Sequence, residues 1–196
     1  MSAERMTAFL DGCSPESRLK FLVASHCAPV LKGIKVSNTM SSERGTWNRL
    51  VKSLKGSGVL CILLSNQGKR EVLLLYRYEE LRGHLEREPV KQFLKSRGYE
   101  DTGVAAVILQ IRGQYDRYVR SGQGFPHELG VVLEYPVEDV DGFIRNKGKN
   151  CLLEKYWKVY HNQEQAAEVF ARYDRARKQA MEQVIAGYPL KEIAAI

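Results

Sequence analysis

The chain has 196 residues, 44% apolar and 27% charged, the balance of a soluble globular protein long enough to bury one full hydrophobic core. Its net charge of +7 would suit a polyanion if the cations clustered, but RYEELRGHLEREPVKQ and the C-terminal region interleave them with acids, so solvated faces are expected and nucleic acid ranks below a small molecule as partner. No apolar run is long enough to span a bilayer, and MSAERMTAFLDG sets charges where a leader's apolar core would sit, so the expectation is a cytoplasmic protein with no signal peptide and no membrane partner.

In chain order, PESRLKFLV predicts a helix capped by Ser14, with Leu19, Leu22 and Val23 on one side. SHCAPVLKGIKVSNT, with Pro29 and Gly33, reads as an irregular connection that leaves His26 and Cys27 at a helix end. GTWNRLVKSLKGSG is a short amphipathic helix with Trp47, Leu50, Val51 and Leu54 inward. VLCILLSNQGKREVLLLYRY then changes period: two apolar runs flank a polar turn at Gly68, the pattern of a β-hairpin whose faces are both covered by helices. EELRGHLEREPVKQFLKSRGY predicts two helices broken at Pro89, and DTGVAAVILQIRGQYDRYVRSG another, ended by Gly122.

Pro126 is placed to open a helix with His127 and Glu128 in its first turn, and Pro136 to end it and start the next. Glu134, Glu138, Asp139 and Asp141 read there as helix-terminus and surface carboxylates. EKYWKVYHN alternates as a third strand would, and Ala166, Phe170, Tyr173, Ala176, Ala180 and Val184 recur at helical spacing toward the C-terminus. The expected architecture is a single α+β domain spanning residues 1–196, a small, mainly antiparallel sheet of about three strands packed by several helices.

The four cysteines, Cys13, Cys27, Cys61 and Cys151, show no C-x-x-C spacing, which argues against a zinc finger and for free thiols, with Cys61 a core residue. The candidate catalytic set is Cys27 as nucleophile, His127, with His26 as the alternative, as its base, and Glu128 to orient the imidazole. Lys158, Tyr160, Tyr135 and Asn150 form the candidate ligand-binding set, suited to a small anionic molecule. His26, Cys27, His127, Glu128 and Cys151 are ligand types for zinc or iron, but no two histidines share a helix face at metalloprotease spacing, so no metal site is assigned. HELGVVLEYPVEDVDGFI and AGYPLKEIAAI outline helix-turn-helix pairs; acidic residues at Glu138, Asp139 and Asp141 would repel phosphate. There is no phosphate loop, dinucleotide fingerprint or serine elbow, so no cofactor is named.

HCAPVLKGIK, FPHELGVVLEYPVEDVDGFIRNKGKN, and YWKVY followed by AAEVFARYDRAR resemble signature blocks of the bacterial family known as domain of unknown function 3793, from about Leu19 to Leu190. The resemblance implies that Cys27, Pro29, His127, Glu128, Gly130, Tyr135, Pro136, Asp139, Gly142, Phe143, Gly148, Trp157, Lys158 and Tyr160 occupy motif positions. The chain departs from the family pattern before YWKVY, where Cys151 stands alone and weakens a shared metal or cluster site. No activity is established for the family, so the expectation is a small-ligand-binding protein or a thiol/histidine-dependent enzyme; the alternatives are a nucleic-acid-binding regulator and a metal or haem protein of iron or redox metabolism.

Overall fold

The computed structural model describes residues 3–194. The first half of the chain forms α1 (Ala3–Gly12), α2 (Pro15–Leu31), β1 (Ser37–Glu43), α3 (Thr46–Ser53), β2 (Val59–Gln67), β3 (Arg70–Arg77), α4 (Tyr78–Leu85) and α5 (Glu88–Ser96). The second half adds α6 (Val104–Ser121), α7 (Leu129–Val132), α8 (Val137–Arg145), the two-residue strands β4 (Leu153–Glu154) and β5 (Lys158–Val159), then α9 (Gln163–Ile185) and α10 (Leu190–Ile193). The fold is α+β, as the alternation of helical and strand periods indicates.

The hairpin forms where the apolar runs predict it, with Gly68 at φ +59° in its turn. Its third partner is different. Strand β1 pairs antiparallel with β3, giving the order β1-β3-β2, while EKYWKVYHN yields only the short β4–β5 ladder, a separate two-stranded sheet. The polar stretch SNTMSSE, read as part of a connection, is therefore an edge strand. Central β3 carries Leu73, Leu74 and Leu75 at zero exposure and needs a ladder on each side.

The second departure is α2, which continues through Pro29 to Leu31 instead of ending at the His26–Cys27 pair. Its stop is Gly33, left-handed at φ +62°, with Gly33 N bonded to the Val30 carbonyl at 3.1 Å and Ile34 N to the Pro29 carbonyl at 2.9 Å. Proline within the last turns forfeits one backbone bond, and burial of Val23, Ala24, Cys27, Ala28, Val30 and Leu31 offsets that loss.

The sheet separates two cores. On one face Met40, Val59, Cys61, Leu73 and Leu75 pack with α2 and α9. On the other Leu64, Leu74 and Tyr76 pack with side chains of α4 through α8. A smaller cluster, Trp157, Val159, Ala166, Phe170 and Tyr173, joins the β4–β5 hairpin to the first half of α9. Among the described residues no helix is long and apolar enough to cross a membrane.

Candidate functional site

On the α4–α8 side of the sheet the structure encloses a cleft of about 400 Å³. Thr39 of β1 and Val72 of β3 form part of its lining, Tyr115 of α6 and Phe125 another part, Val140 and Phe143 of α8 a third, and Tyr156, Trp157 and Lys158 of the hairpin a fourth. Gly130 belongs to the same lining, and a side chain there would strike Val140 and crowd the Tyr135 ring. The rings are mutually oriented: His127 lies 5.4 Å from both Phe125 and Phe143, and Tyr135 stacks on Trp157 at 5.1 Å with 25° between planes.

One buried carboxylate fixes this wall. Asp139 Oδ2 accepts the Trp157 indole N–H at 2.7 Å, and Oδ1 accepts the backbone N–H groups of Tyr160 and His161 at 2.7 and 2.9 Å. The sequence reading of Asp139 as a surface carboxylate is thus corrected: it is 3% exposed and clamps α8 to the hairpin. Glu134 is likewise engaged, accepting from Val36 N at 2.9 Å. The Tyr135 hydroxyl donates to the Tyr156 carbonyl at 3.2 Å, a second tie between the same segments.

Charges at the cleft are neutralised inside the protein. Lys158 Nζ donates to the Gly148 carbonyl at 2.8 Å and lies 3.6 Å from Glu154, and Lys155 pairs with Asp174. Burial holds the His127 imidazole below its ordinary pKa; the nearby Glu128 charge works against that and Arg97 with it. The remaining surface is a set of rings around a half-buried imidazole.

Of the sequence-predicted residues, His127, Tyr135 and Lys158 meet in this cleft. Glu128 adjoins His127 but lines a separate shallow depression with Gln114 and Arg117. Tyr160 packs its Cβ over the backbone of Gly142 with its hydroxyl unpartnered, and Asn150 is exposed in a left-handed turn at φ +58°. Cys27 is elsewhere. It has zero exposure in the core between α2 and the sheet, and burial pushes its thiol up to about 12, although the Asn38 amide at 3.9 Å and the Lys35 charge pull the other way. Along β1, Asn38 faces α2 while Thr39 lines the cleft, so the sheet stands between Cys27 and His127. The expected thiol–imidazole pair does not form, because the helix that was to end at Cys27 instead carries it into the core. Among the described residues no three His, Cys, Asp or Glu side chains gather as a metal-binding group.

Sequence reasoning missed Thr39, Val72, Tyr115, Phe125 and Tyr156, which come from distant elements and share only aromatic or β-branched character. A signal did exist for Asp139: a carboxylate three residues before a motif glycine and eighteen before the motif tryptophan it bonds.

No curated protein and no solved structure matches the chain. A family model described as "Protein of unknown function (DUF3793)" matches residues 23–194, which contain the whole sheet, the cleft and the Asp139 clamp. With most of its length covered, the chain belongs to that family.

Proposed function

We propose that the protein binds a small, flat, largely apolar molecule in the ring-lined cleft, with His127 as the polar handle. The observation that carries this reading is the composition of the lining: seven rings, Tyr115, Phe125, His127, Tyr135, Phe143, Tyr156 and Trp157, surround about 400 Å³ in which both lysines already have protein partners. Flat guests gain offset and edge-on ring contacts there, each worth roughly 0.5–1.5 kcal/mol beyond area burial. The neutral imidazole offers one donor and one acceptor to a guest, and its surroundings favour the uncharged form. An anionic guest is less well served here, since Lys158 is spent on Gly148 and Glu154.

The chain holds two tryptophans, Trp47 and Trp157, so Trp47→Phe leaves the indole of the cleft wall as the sole tryptophan emitter. Titration of that variant with the neutral probe N-phenyl-1-naphthylamine is expected to give saturable energy transfer from Trp157. Phe125 is 37% exposed, so Phe125→Ala leaves the core intact. It should weaken binding by up to about tenfold, the equivalent of one ring contact. Non-saturable transfer, or unchanged affinity in Phe125→Ala, rules the reading out.

A further inference from the structure

The interleaving of cations with acids is absent between Glu43 and Glu71, where the sequence has six cations, Arg44, Arg49, Lys52, Lys55, Lys69 and Arg70, and no acid. All six are exposed, and among the described residues none forms a salt bridge. The flanking carboxylates are engaged: buried Glu71 accepts from Gly45 N and Trp47 N at the start of α3, Glu16 pairs with Lys20 at 2.8 Å, and Glu43 stands opposite Arg70 in the β1–β3 ladder. Setting Arg70 against Glu43 leaves the other five of the six cations as an excess. They are gathered in space as well, since Arg44 N bonds the Lys69 carbonyl at 3.1 Å and so holds the hairpin turn beside the start of α3.

The same helix also exposes apolar surface. Thr46, Leu50 and Leu54 are its buried positions, while Trp47 and Val51, one turn apart on the adjoining shoulder, are 36% and 43% exposed. The Trp47 indole donates to the Cys61 carbonyl at 3.1 Å, which lays the ring along the edge of β2, and Leu60 beside that carbonyl is 46% exposed. Lys52 and Lys55 continue the outward side from Val51. An indole and aliphatic side chains next to lysines are the pattern of a helix that lies in the boundary layer of a bilayer.

We infer that α3 and the adjoining edge of β2 are a docking surface for an anionic lipid bilayer, with Trp47, Val51 and Leu60 entering the headgroup boundary and the excess cations meeting lipid phosphates. The charge excess selects an anionic occupant, and the aliphatic residues select the lipid: a nucleic acid would stack a base on Trp47 but has no use for Val51 and Leu60. A second copy would set the same cations against each other. A partner strand meets a closed edge. Arg77 N bonds the Val36 carbonyl, so Val59 and Cys61, opposite Arg77 and Leu75, turn their polar groups away from β3; there Ser57 Oγ takes Val59 N at 3.1 Å and Trp47 takes the Cys61 carbonyl. Surface docking needs no spanning segment, which is all that the missing long apolar run excludes. None of these residues lines the ring-lined cleft, so each reading can fail without the other.

The test is co-sedimentation of the full chain with vesicles of phosphatidylcholine alone or with one third phosphatidylglycerol. Binding is expected to the anionic vesicles only, and it should fade at about 0.5 M sodium chloride, where exposed charges are screened within a few ångströms. The double variant Lys52→Gln/Lys55→Gln changes only exposed side chains and should partition about thirtyfold more weakly. With bromine on the acyl chains, wild-type tryptophan emission should be quenched on binding, and Trp47→Phe should still bind but lose that quenching. Equal binding to neutral vesicles, undiminished partitioning of the lysine variant, or quenching that survives in Trp47→Phe would overturn the inference. So would a failure to bind either vesicle, whether the chain takes a single-stranded oligonucleotide, a second copy or nothing in their place.

Discussion

Lys35 is 4% exposed yet carries an ammonium group. Its Nζ donates to Asn38 Oδ1 at 2.6 Å and lies 5.1 Å from the Tyr135 ring and 5.7 Å from that of Tyr173. Burial lowers its pKa from 10.5 to about 8, with the Cys27 and Glu134 groups opposing the shift. The folded value lies below the unfolded one, so between them the unfolded chain binds more protons and this group's contribution to stability rises with pH. The buried charge weighs against folding near neutrality, and the penalty fades as the proton leaves. Cys27 has the reverse sense: its raised thiol loses stability as pH climbs from 9 toward about 12, which confines a clean reading of Lys35 to lower pH. Lys35→Met removes the titration while keeping most of the volume. Wild-type unfolding free energy, measured with urea, is expected to gain about 1.4 kcal/mol on the variant between about pH 7 and pH 9. Parallel pH profiles for the two proteins would contradict the assignment. None of this was legible in GIKVSN, where Lys35 reads as an ordinary connection residue; its burial depends on Tyr135 and Tyr173, about a hundred residues away or more.

At the level of elements, legibility follows the range of the interactions that decide each one. The β2–β3 hairpin is settled by contiguous apolar runs and Gly68, the start of α8 by Pro136, and the long α9 by its apolar period and Asn162, whose side chain accepts from Gln165 N at 3.1 Å. Strand β1 is settled by the vacant edge of β3, since its serines and asparagine give no strand signal and Thr39 alone is a strand former. The β4–β5 hairpin sits between these cases: YWKVY alternates, but its position is imposed by Asp139 and by contact of Tyr160 with the Gly142 backbone. Any side chain at position 142 would overlap the Tyr160 Cβ, so α8 and the segment after β5 approach backbone to side chain only because that residue is glycine. Gly142→Ala should therefore destabilise the fold by about 2 kcal/mol through overpacking. The conflict is with a Cβ, so Tyr160→Ala should not relieve it whereas Tyr160→Gly should do so in part; urea unfolding of the single and double variants decides. Equal relief by both second substitutions would mean that the ring, and not the close approach, sets the constraint.

Across the molecule, the sheet divides the chemistry. One side holds the sealed thiols, Cys27 and Cys61, each pushed up to about 12 by burial, and the other holds the ring-lined cleft. The sequence presents HCAP and FPHE as two halves of one site because both carry reactive side chains, but only the alternation of β1 shows that they face opposite layers. A single residue ties the α2 layer, the sheet and the chain's last helix together. Arg77, at the end of β3 and 6% exposed, donates to the carbonyls of Val30, Leu31 and Ala194 at 2.7 to 2.8 Å. The first two carbonyls lie at the C-terminal end of α2, where Val30 O also accepts from Gly33 N, and the third belongs to the end of α10, so one cation faces the negative ends of two helices. No apolar residue satisfies three carbonyls, and lysine lacks the planar fork that reaches them at once. Arg77→Met is expected to cost about 3 kcal/mol, with Arg77→Lys intermediate. The more specific outcome is local: amide exchange in residues 190–194 and in the last turn of α2 should accelerate well beyond the global loss, while the β2–β3 ladder slows or quickens only with overall stability. Exchange that rises uniformly over the chain would show that α10 is held by its apolar contacts, Leu190 and Ile193, and not by the arginine.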